Sequence, residues 1–449
     1  MGAEGRARTF SDRVLALVIS NLFLTGFGVV NGILLAGLLG PAGKGEYYLV
    51  VLLPTTIMVL MQLGLPNALG FYSARGQTRG LVAGALLVGG CLSAVALALT
   101  LSVLPILQQT FMRGPQAELI VLGMLVLPFA LTSTFLTAIV LGRQAVRWSI
   151  AANAASAIAS TVLLVVLVGF VRLGVIGAVL ALLSSRAMQF IGFLIGAKRV
   201  SAVPLEPRRV AFRTLFRYGL PLYPGSVTLF FGYRFDVYLL AWLLVEPSIQ
   251  LGFYSMAVSM SEMALMVPNA VMTLFFPHVA GSERQDSDRQ LGMTSRVTLI
   301  MTALAAVVLL PASLALVVVV LPAFGPMLPT LFVLLVSVVG LAVGKVTSAY
   351  LLGIGVNSVS SAINISAFVL NVAVNLVLIP RYGILGAAAA SLITYAAAAV
   401  AFTRIAGRRA GVSMRDLWLP RPDDVRFIIA TGRDLIRRVR LVAIKPRDA

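Results

Sequence analysis

Arg172-Leu-Gly-Val-Ile-Gly-Ala178, in the first half of this chain, recurs 209 positions later as Arg381-Tyr-Gly-Ile-Leu-Gly-Ala387. Two shorter pairs recur in the same order at nearly the same offset, and such an ordered set of matches indicates an internal repeat. The period is close to 206 residues, so the repeat divides the chain near its midpoint. The shorter pairs are Pro66-Asn67-Ala68 with Pro268-Asn269-Ala270, and Pro41 and Tyr47-Tyr48 with Pro247 and Phe253-Tyr254.

The composition indicates that the repeated units are sets of membrane-spanning helices. Of 449 residues, 59% are hydrophobic and 11% are charged, and the mean hydropathy is +0.98. A soluble protein carries about 25% charged residues, and its core could not enclose this much apolar surface. Because about 20 apolar residues cross a membrane as a helix, the apolar runs predict an all-α polytopic membrane protein with twelve transmembrane helices. They lie at about 14–40, 47–73, 80–107, 117–141, 149–171, 175–197, 211–243, 249–279, 292–321, 325–352, 358–379 and 384–405.

The period places six predicted helices in each half of the chain. Because six is even, both halves enter the membrane in the same orientation. A pseudo-two-fold axis along the membrane normal then relates them, as in transporters built from parallel repeats. We therefore expect two pseudo-symmetric six-helix bundles, residues 1–200 and 201–405, followed by a basic cytoplasmic tail, residues 406–449.

The positive charges predict the orientation. The net charge is +19, and 28 of the 35 Lys and Arg residues fall on one side of the membrane if the N-terminus is inside. Three more lie within predicted helices. In membrane proteins the cytoplasmic segments carry the excess of Lys and Arg. Both termini are therefore predicted to be cytoplasmic. The four remaining cations fall in predicted external connections: Lys44, Arg113, Arg172 and Arg381.

The basic tail repeats apolar side chains at helical spacing from Asp423 onward, with arginines between them. This pattern predicts an amphipathic helix on the anionic cytoplasmic leaflet, with an acidic protein partner as the alternative. Nucleic acid is not an expected partner, because the positive charges flank a membrane and no reader motif is present. The apolar positions are Val425, Ile428, Ile429, Leu435, Val439 and Val442.

Several motifs resemble those of polysaccharide flippases, the Wzx-like group of the multidrug/oligosaccharidyl-lipid/polysaccharide exporter superfamily. The resemblance extends to about residue 405. It rests on Leu39-Gly-Pro-Ala-Gly-Lys-Gly-Glu-Tyr-Tyr48, Leu63-Gly-Leu-Pro-Asn-Ala68, Tyr218-Gly-Leu-Pro-Leu222, Tyr233-Arg-Phe-Asp236, Gly252-Phe-Tyr254 and Phe276-Pro277.

This resemblance implies a V-shaped pair of bundles, like those of MATE and MurJ transporters. It also implies flipping of undecaprenyl-pyrophosphate-linked oligosaccharide by alternating access, for cell-surface polysaccharide biosynthesis. The implied location is the bacterial plasma (inner) membrane, and the implied protein partner is the polysaccharide polymerase machinery.

Five charged residues lie within predicted helices, where each costs roughly 2.5–3.5 kcal/mol and usually faces a cavity or a partner. We expect Arg186, Arg234 and Lys345 to line a cavity for the pyrophosphate or an acidic sugar, because guanidinium and ammonium groups bind phosphate oxygens. The family motif covers only Arg234 and Asp236. Asp236 and Glu262 are the candidates for ion coupling, although Arg234 with Glu262 could instead form a structural salt bridge.

Polar side chains at helical spacing mark the fifth and eleventh predicted helices. They predict either hydrogen-bonded packing faces between membrane helices or a polar path for sugar hydroxyl groups. The path candidates are Asn153, Asn364 and Asn371, with Asn21 on the first helix.

The sequence contains no nucleophile–base pair, phosphate-binding glycine loop or metal-ligand cluster. We therefore expect a transporter and not an enzyme, with no cofactor and no metal site. The alternatives are a cation-coupled multidrug or metabolite antiporter and a lipid II flippase of the same superfamily. An antiporter would need a carboxylate-centred site, and lipid II flippases usually carry two further helices. A membrane glycosyltransferase is disfavoured because the external loops are short, and a non-transporting scaffold remains open.

Overall fold

A computed structural model describes residues 3–76, 80–201, 210–430 and 433. Every regular element within these residues is helical. The helices are α1 (Ala3–Met61), α2 (Leu65–Ala74), α3 (Leu81–Thr110), α4 (Ala117–Met124), α5 (Val126–Gly142), α6 (Val146–Leu164), α7 (Gly174–Ser201), α8 (Val210–Gly219), α9 (Tyr223–Leu243), α10 (Pro247–Gly281), α11 (Arg284–Val319), α12 (Leu328–Gly353), α13 (Asn357–Ala410) and α14 (Met414–Trp418).

Nine helices in this described part of the chain are long and apolar enough to cross a membrane. Two of them, α1 and α13, are each broken at a glycine with non-helical dihedral angles: Gly40 (φ 66°, ψ −178°) and Gly383 (φ 57°, ψ −132°). Glycine permits the break because a Cβ disfavours positive φ. Each of these two helices therefore covers two predicted spans, and the predicted all-helical polytopic fold is confirmed.

Prolines divide two of the predicted spans. The span predicted at 211–243 is α8 and α9, joined by a 3-10 turn at Leu220–Leu222 that contains Pro221. The span predicted at 117–141 is α4 and α5, and α4 ends at Met124, four residues before Pro128. Proline has no backbone N–H, so it cannot bond the carbonyl four residues earlier and a helix is interrupted there.

The chain forms two compact units. Unit 1 comprises Met1–Ser259, Leu316–Met327 and Asn375–Ala387, and unit 2 comprises Met260–Ala315, Leu328–Val374 and Ala388–Ala449. Residues of α10, α11 and α13 contribute to both units. The bundle boundaries expected from the repeat stay a prediction.

In unit 1, α1 and α10 pack backbone against backbone. A Cβ at Gly45 would lie 1.7 Å from the carbonyl oxygen of Ser248, and one at Gly252 would lie 1.9 Å from that of Pro41. The two contacts are related by the repeat, since 207 residues separate both Pro41 from Ser248 and Gly45 from Gly252. Such reciprocal contacts are typical of elements related by a two-fold axis.

In unit 2, the chain that follows α13 is held by a buried ion pair. Arg296 donates from Nε to Asp424 Oδ2 at 2.6 Å and from Nη2 to Oδ1 at 2.9 Å. The Arg296 and Asp424 side chains are 8% and 2% exposed. Nearby, Leu417 of α14 is fully buried in the core of unit 2, together with Tyr350. The beginning of the basic tail is therefore part of the folded unit.

The predicted amphipathic helix begins in the described residues, because 422–430 are helical. Its side chains Val425, Phe427 and Ile429 are exposed, whereas Asp424 is buried. The predicted apolar positions Leu435, Val439 and Val442 lie outside the described residues.

Replacing Gly45 or Gly252 with alanine is expected to destabilise the protein by about 1–3 kcal/mol or more, because α1 and α10 must separate to admit the Cβ. The control is Gly90→Ala in α3, where nothing lies within 4 Å of an added Cβ. The measurement is the melting temperature in detergent. Equal melting temperatures for Gly45→Ala and Gly90→Ala would contradict the packing described.

Asp424→Asn is expected to lower stability by about 3–5 kcal/mol at pH 7, because it leaves the buried Arg296 without its counter-charge. Asp423→Asn is the matched control, because the Asp423 and Arg426 side chains are 85% and 82% exposed. That substitution is expected to cost less than about 1 kcal/mol.

The hydrogen bond from Arg296 lowers the pKa of Asp424 below its ordinary value of 3.8. The pair therefore stabilises the fold above the unfolded pKa and loses this effect as pH falls through the folded pKa. The stability difference between wild type and Asp424→Asn should stay constant from neutral pH to about 4 and narrow below that. Thermal unfolding across this range checks the prediction, and a difference that narrows already between about pH 7 and 5 would contradict it.

Candidate functional site

Two charged side chains of α9 contact the two tyrosines that the repeat relates. Arg234 donates from Nη1 to the Tyr48 hydroxyl at 2.8 Å, and the Tyr254 hydroxyl donates to Asp236 Oδ2. Tyr48 lies on α1 and Tyr254 on α10, 206 residues apart. Residues two apart on a helix point in different directions, so α9 presents its positive and negative charges to different neighbours.

The environments of these two charges differ. Asp236 is 8% exposed, and its Oδ1 also accepts the backbone N–H of Val237 at 2.8 Å. Tyr254 is 1% exposed, whereas Arg234 and Tyr48 are half-buried. Arg234 is therefore the more accessible member of the pair, and Asp236 belongs to the packed interior of unit 1.

Arg186 lies elsewhere in unit 1, on α7. Its Nη1 donates to Gln189 Oε1 at 2.9 Å, and Gln189 Nε2 donates to Asn153 Oδ1 at 2.8 Å. Arg186 lines a cavity of about 150 Å³ between α1, α5 and α7. The structure thus joins two residues predicted separately, Arg186 and Asn153, through Gln189, which sequence reasoning missed. Arg234 does not line this cavity.

The remaining predicted charges lie in unit 2. Lys345 of α12 donates from Nζ to Asn269 Oδ1 at 2.8 Å, and Asn269 belongs to the repeated Pro-Asn-Ala motif of α10. Glu262 is half-buried on α10. Within unit 1, Arg186 and Arg234 therefore donate to different partners.

The polar side chains of α6 and α13 form hydrogen bonds to neighbouring helices or, on α13, across the break at Gly383. On α6, Ser156 donates to the Ser185 carbonyl at 3.0 Å, and Ser160 accepts from Asn31 at 3.4 Å. On α13, buried Asn371 donates to Thr394 Oγ1 at 3.5 Å, and Asn364 is half-buried. These bonds match the packing interpretation, and the sugar path stays a prediction. The side chain of Asn21 lies outside the described residues.

Lys44 is a helical residue, so the prediction that places it in an external connection is wrong. It lies on α1 after the break at Gly40 and is 5% exposed. Its Nζ donates to the Gly32 carbonyl at 2.9 Å and contacts Met256 Sδ at 2.9 Å. The glycines on both sides of Lys44 were the available signal, since Gly45 marks the point where α10 approaches.

These features define a multi-pass helical membrane protein with polar and charged side chains in its interior. Residues 11–283 match the family described as polysaccharide biosynthesis protein, and the chain belongs to this family. No curated protein matches the chain.

Solved structures of transporters share the fold. A MATE family multidrug resistance transporter of the MOP superfamily, in its inward-facing conformation, has a TM-score of 0.64 at 16% identity, covering 86% of this chain and 94% of its own. The lipid II flippase MurJ, inward closed, has a TM-score of 0.74 at 12% identity, covering 90% and 89%. A point mutant of the Vibrio cholerae MATE transporter VcmN has a TM-score of 0.58 at 15% identity, covering 91% and 97%. At these identities the likeness shows the fold.

Tyr254→Phe is expected to destabilise the protein by about 1–3 kcal/mol, because it removes a hydroxyl donor from a buried carboxylate. Tyr48→Phe is the control at the repeat-related position and should cost less, since its partner Arg234 is half-buried. Thermal unfolding of both variants, and of each combined with Asp236→Asn, checks the contact. The effects of Tyr254→Phe and Asp236→Asn should be non-additive. Additive effects would contradict a direct Tyr254–Asp236 interaction.

Proposed function

We propose that this protein moves a lipid-linked oligosaccharide, carried on undecaprenyl pyrophosphate, across the bacterial plasma membrane for cell-surface polysaccharide biosynthesis. The match of residues 11–283 to the polysaccharide biosynthesis family carries the proposal. The transporter fold, shared with a lipid II flippase and with multidrug transporters, supports it. In this proposal both termini face the cytoplasm, where the Lys and Arg excess lies.

Arg234 is the residue to which we assign the anionic head of the substrate. It belongs to the family-like Tyr233-Arg-Phe-Asp236 motif, and its guanidinium is held by Tyr48 at 2.8 Å. A planar guanidinium can bind two phosphate oxygens at once, and in a membrane interior this interaction is weakly screened. Lys345 is a further candidate cation, and its contact with Asn269 holds the ammonium group.

Movement follows from the internal repeat. We infer that two six-helix bundles, residues 1–200 and 201–405, rock about the substrate and expose it first to the cytoplasm and then to the exterior. The reciprocal contacts of Gly45 and Gly252 support a repeat-related pivot between α1 and α10. A pivot at close backbone contact lets helices rotate without a large side chain in the way.

The tail supports contact with lipid. Val425, Phe427 and Ile429 are exposed beside Arg426 in the helical residues 422–430. Apolar and basic side chains together suit the anionic cytoplasmic leaflet. The polysaccharide polymerase machinery is the protein partner that this function implies.

Cation-coupled antiport is the second candidate, and Asp236 favours it. Buried carboxylates in membrane proteins are the groups that carry coupling protons or cations, and Asp236 is buried. The two functions differ in the ligand moved: a pyrophosphate-linked sugar with Arg234 as its contact, or a small organic molecule with Asp236 as the coupling group.

Arg234→Gln is expected to reduce flipping by roughly tenfold or more, because a hydrogen bond to a charged group contributes about 1.5–3 kcal/mol. Arg234→Lys should retain part of the activity, since it keeps the charge and loses the fork. The matched control is Arg143→Gln, at an exposed arginine. The assay uses proteoliposomes that contain a fluorescent polyprenyl-pyrophosphate-linked oligosaccharide, with protection from an added impermeant glycosidase as the readout.

If the Arg234→Gln variant folds and flips the substrate at the wild-type rate, the assignment of Arg234 to the anionic head is overturned. Transport of a cationic drug that is lost in Asp236→Asn, without flipping of the lipid-linked sugar by the wild type, would replace the flippase with the antiporter.

A further inference from the structure

The Arg186 cavity differs from the proposed substrate site in its lining, because Arg234 does not line it. It lies wholly within unit 1, and Arg186 is the single charged residue among the described residues that line it. The other polar residues lining it are Thr55, Ser133, Thr134, Thr137 and Gln189.

Arg186 has no counter-charge in the described part of the chain. Its hydrogen-bond partner there is the Gln189 carbonyl, whose amide group is in turn fixed by Asn153. The neighbouring Tyr47 interacts with it electrostatically but carries no negative charge at neutral pH. A cation in the membrane interior without a carboxylate partner is costly, so a bound anion would stabilise it.

Ser133 is a second, independent observation that points to a ligand. It is 3% exposed, and its Oγ has no hydrogen-bond partner within the described residues. The threonines of the lining donate instead to the carbonyl four residues earlier, as Thr55 does to Val51 and Thr134 does to Ala130. Ser133 is therefore a buried hydroxyl without a hydrogen-bond partner in the described residues, at a position that lines the same cavity as Arg186.

The volume limits the size of the occupant. A cavity of about 150 Å³ has room for about five water molecules at roughly 30 Å³ each. Pockets for organic ligands measure about 300–1,000 Å³. A sugar-linked pyrophosphate is too large for this space, whereas a small inorganic anion with one or two waters fits.

The charge limits the valence. The single guanidinium balances one negative charge, and the serine hydroxyl is neutral. No second cation lines the cavity in the described residues. We propose that this cavity is a binding site for a chloride-sized monovalent inorganic anion, held by the Arg186 guanidinium and the Ser133 hydroxyl. The site goes beyond the proposed function, because its ligand is not the lipid-linked sugar.

The test compares the melting temperature of the purified full-length protein in sodium chloride and in sodium gluconate at equal ionic strength. A ligand that binds the folded state raises the melting temperature with its concentration, so chloride should raise it by a few degrees and gluconate, too large for the cavity, should not. Arg186→Gln should abolish the chloride-dependent shift, and Ser133→Ala should move it to higher chloride concentration. Arg143→Gln should keep the wild-type shift.

A crystal grown in bromide gives an independent readout, with an anomalous peak expected beside Arg186 in the wild type and absent in Arg186→Gln. If Arg186→Gln does not fold, Ser133→Ala and this peak still decide the question. A chloride shift of equal size in wild type and Arg186→Gln, or bromide peaks only elsewhere, would overturn the proposal. Neither measurement involves flipping, so a failure of the anion-site proposal can be told apart from a failure of the proposed function.

Discussion

The cost of a charge away from water is the constraint on which the interior of this protein depends. Each ionised side chain in the membrane-spanning helices must meet a dipole, an opposite charge or a ligand. Asp236 meets a tyrosine hydroxyl and a backbone N–H, and Lys44 meets a backbone carbonyl and a thioether. Within the described residues Arg186 meets an amide carbonyl and Tyr47, neither of which is negatively charged at neutral pH. The degree to which the protein itself satisfies each charge separates structural residues from those available to a ligand.

The internal repeat supplies a symmetric framework that the side chains use asymmetrically. The α1–α10 crossing is reciprocal, with Gly45 and Gly252 each against the other helix's backbone. The repeat-related Tyr48 and Tyr254, however, contact opposite charges on the single helix α9. The repeat predicts equivalent positions for the two tyrosines, and the difference between Arg234 and Asp236 gives them different partners.

Much of the fold follows from the sequence because apolar runs, charge asymmetry and period are properties of the chain itself. Even the breaks at Gly40 and Gly383 coincide with predicted helix boundaries. The site was less predictable, since hydropathy shows that a charge is in the membrane but not which neighbour it meets. The Arg186–Gln189–Asn153 chain joins α7 to α6, and the burial of Lys44 depends on α10 approaching at Gly45. Both are tertiary contacts between residues distant in sequence.

The charges that predict the orientation and those proposed to bind a ligand are therefore two sets. The Lys and Arg excess that predicts the orientation includes Arg296 on α11, which is consumed in fixing Asp424 and the tail. Arg234 and Arg186 add little to a net charge of +19, yet both are half-buried within helices of the predicted membrane region. Because the interaction energy of two charges scales inversely with the local dielectric constant, an anion beside a cation in the protein interior is held more strongly than an anion beside a cation that is fully exposed to water.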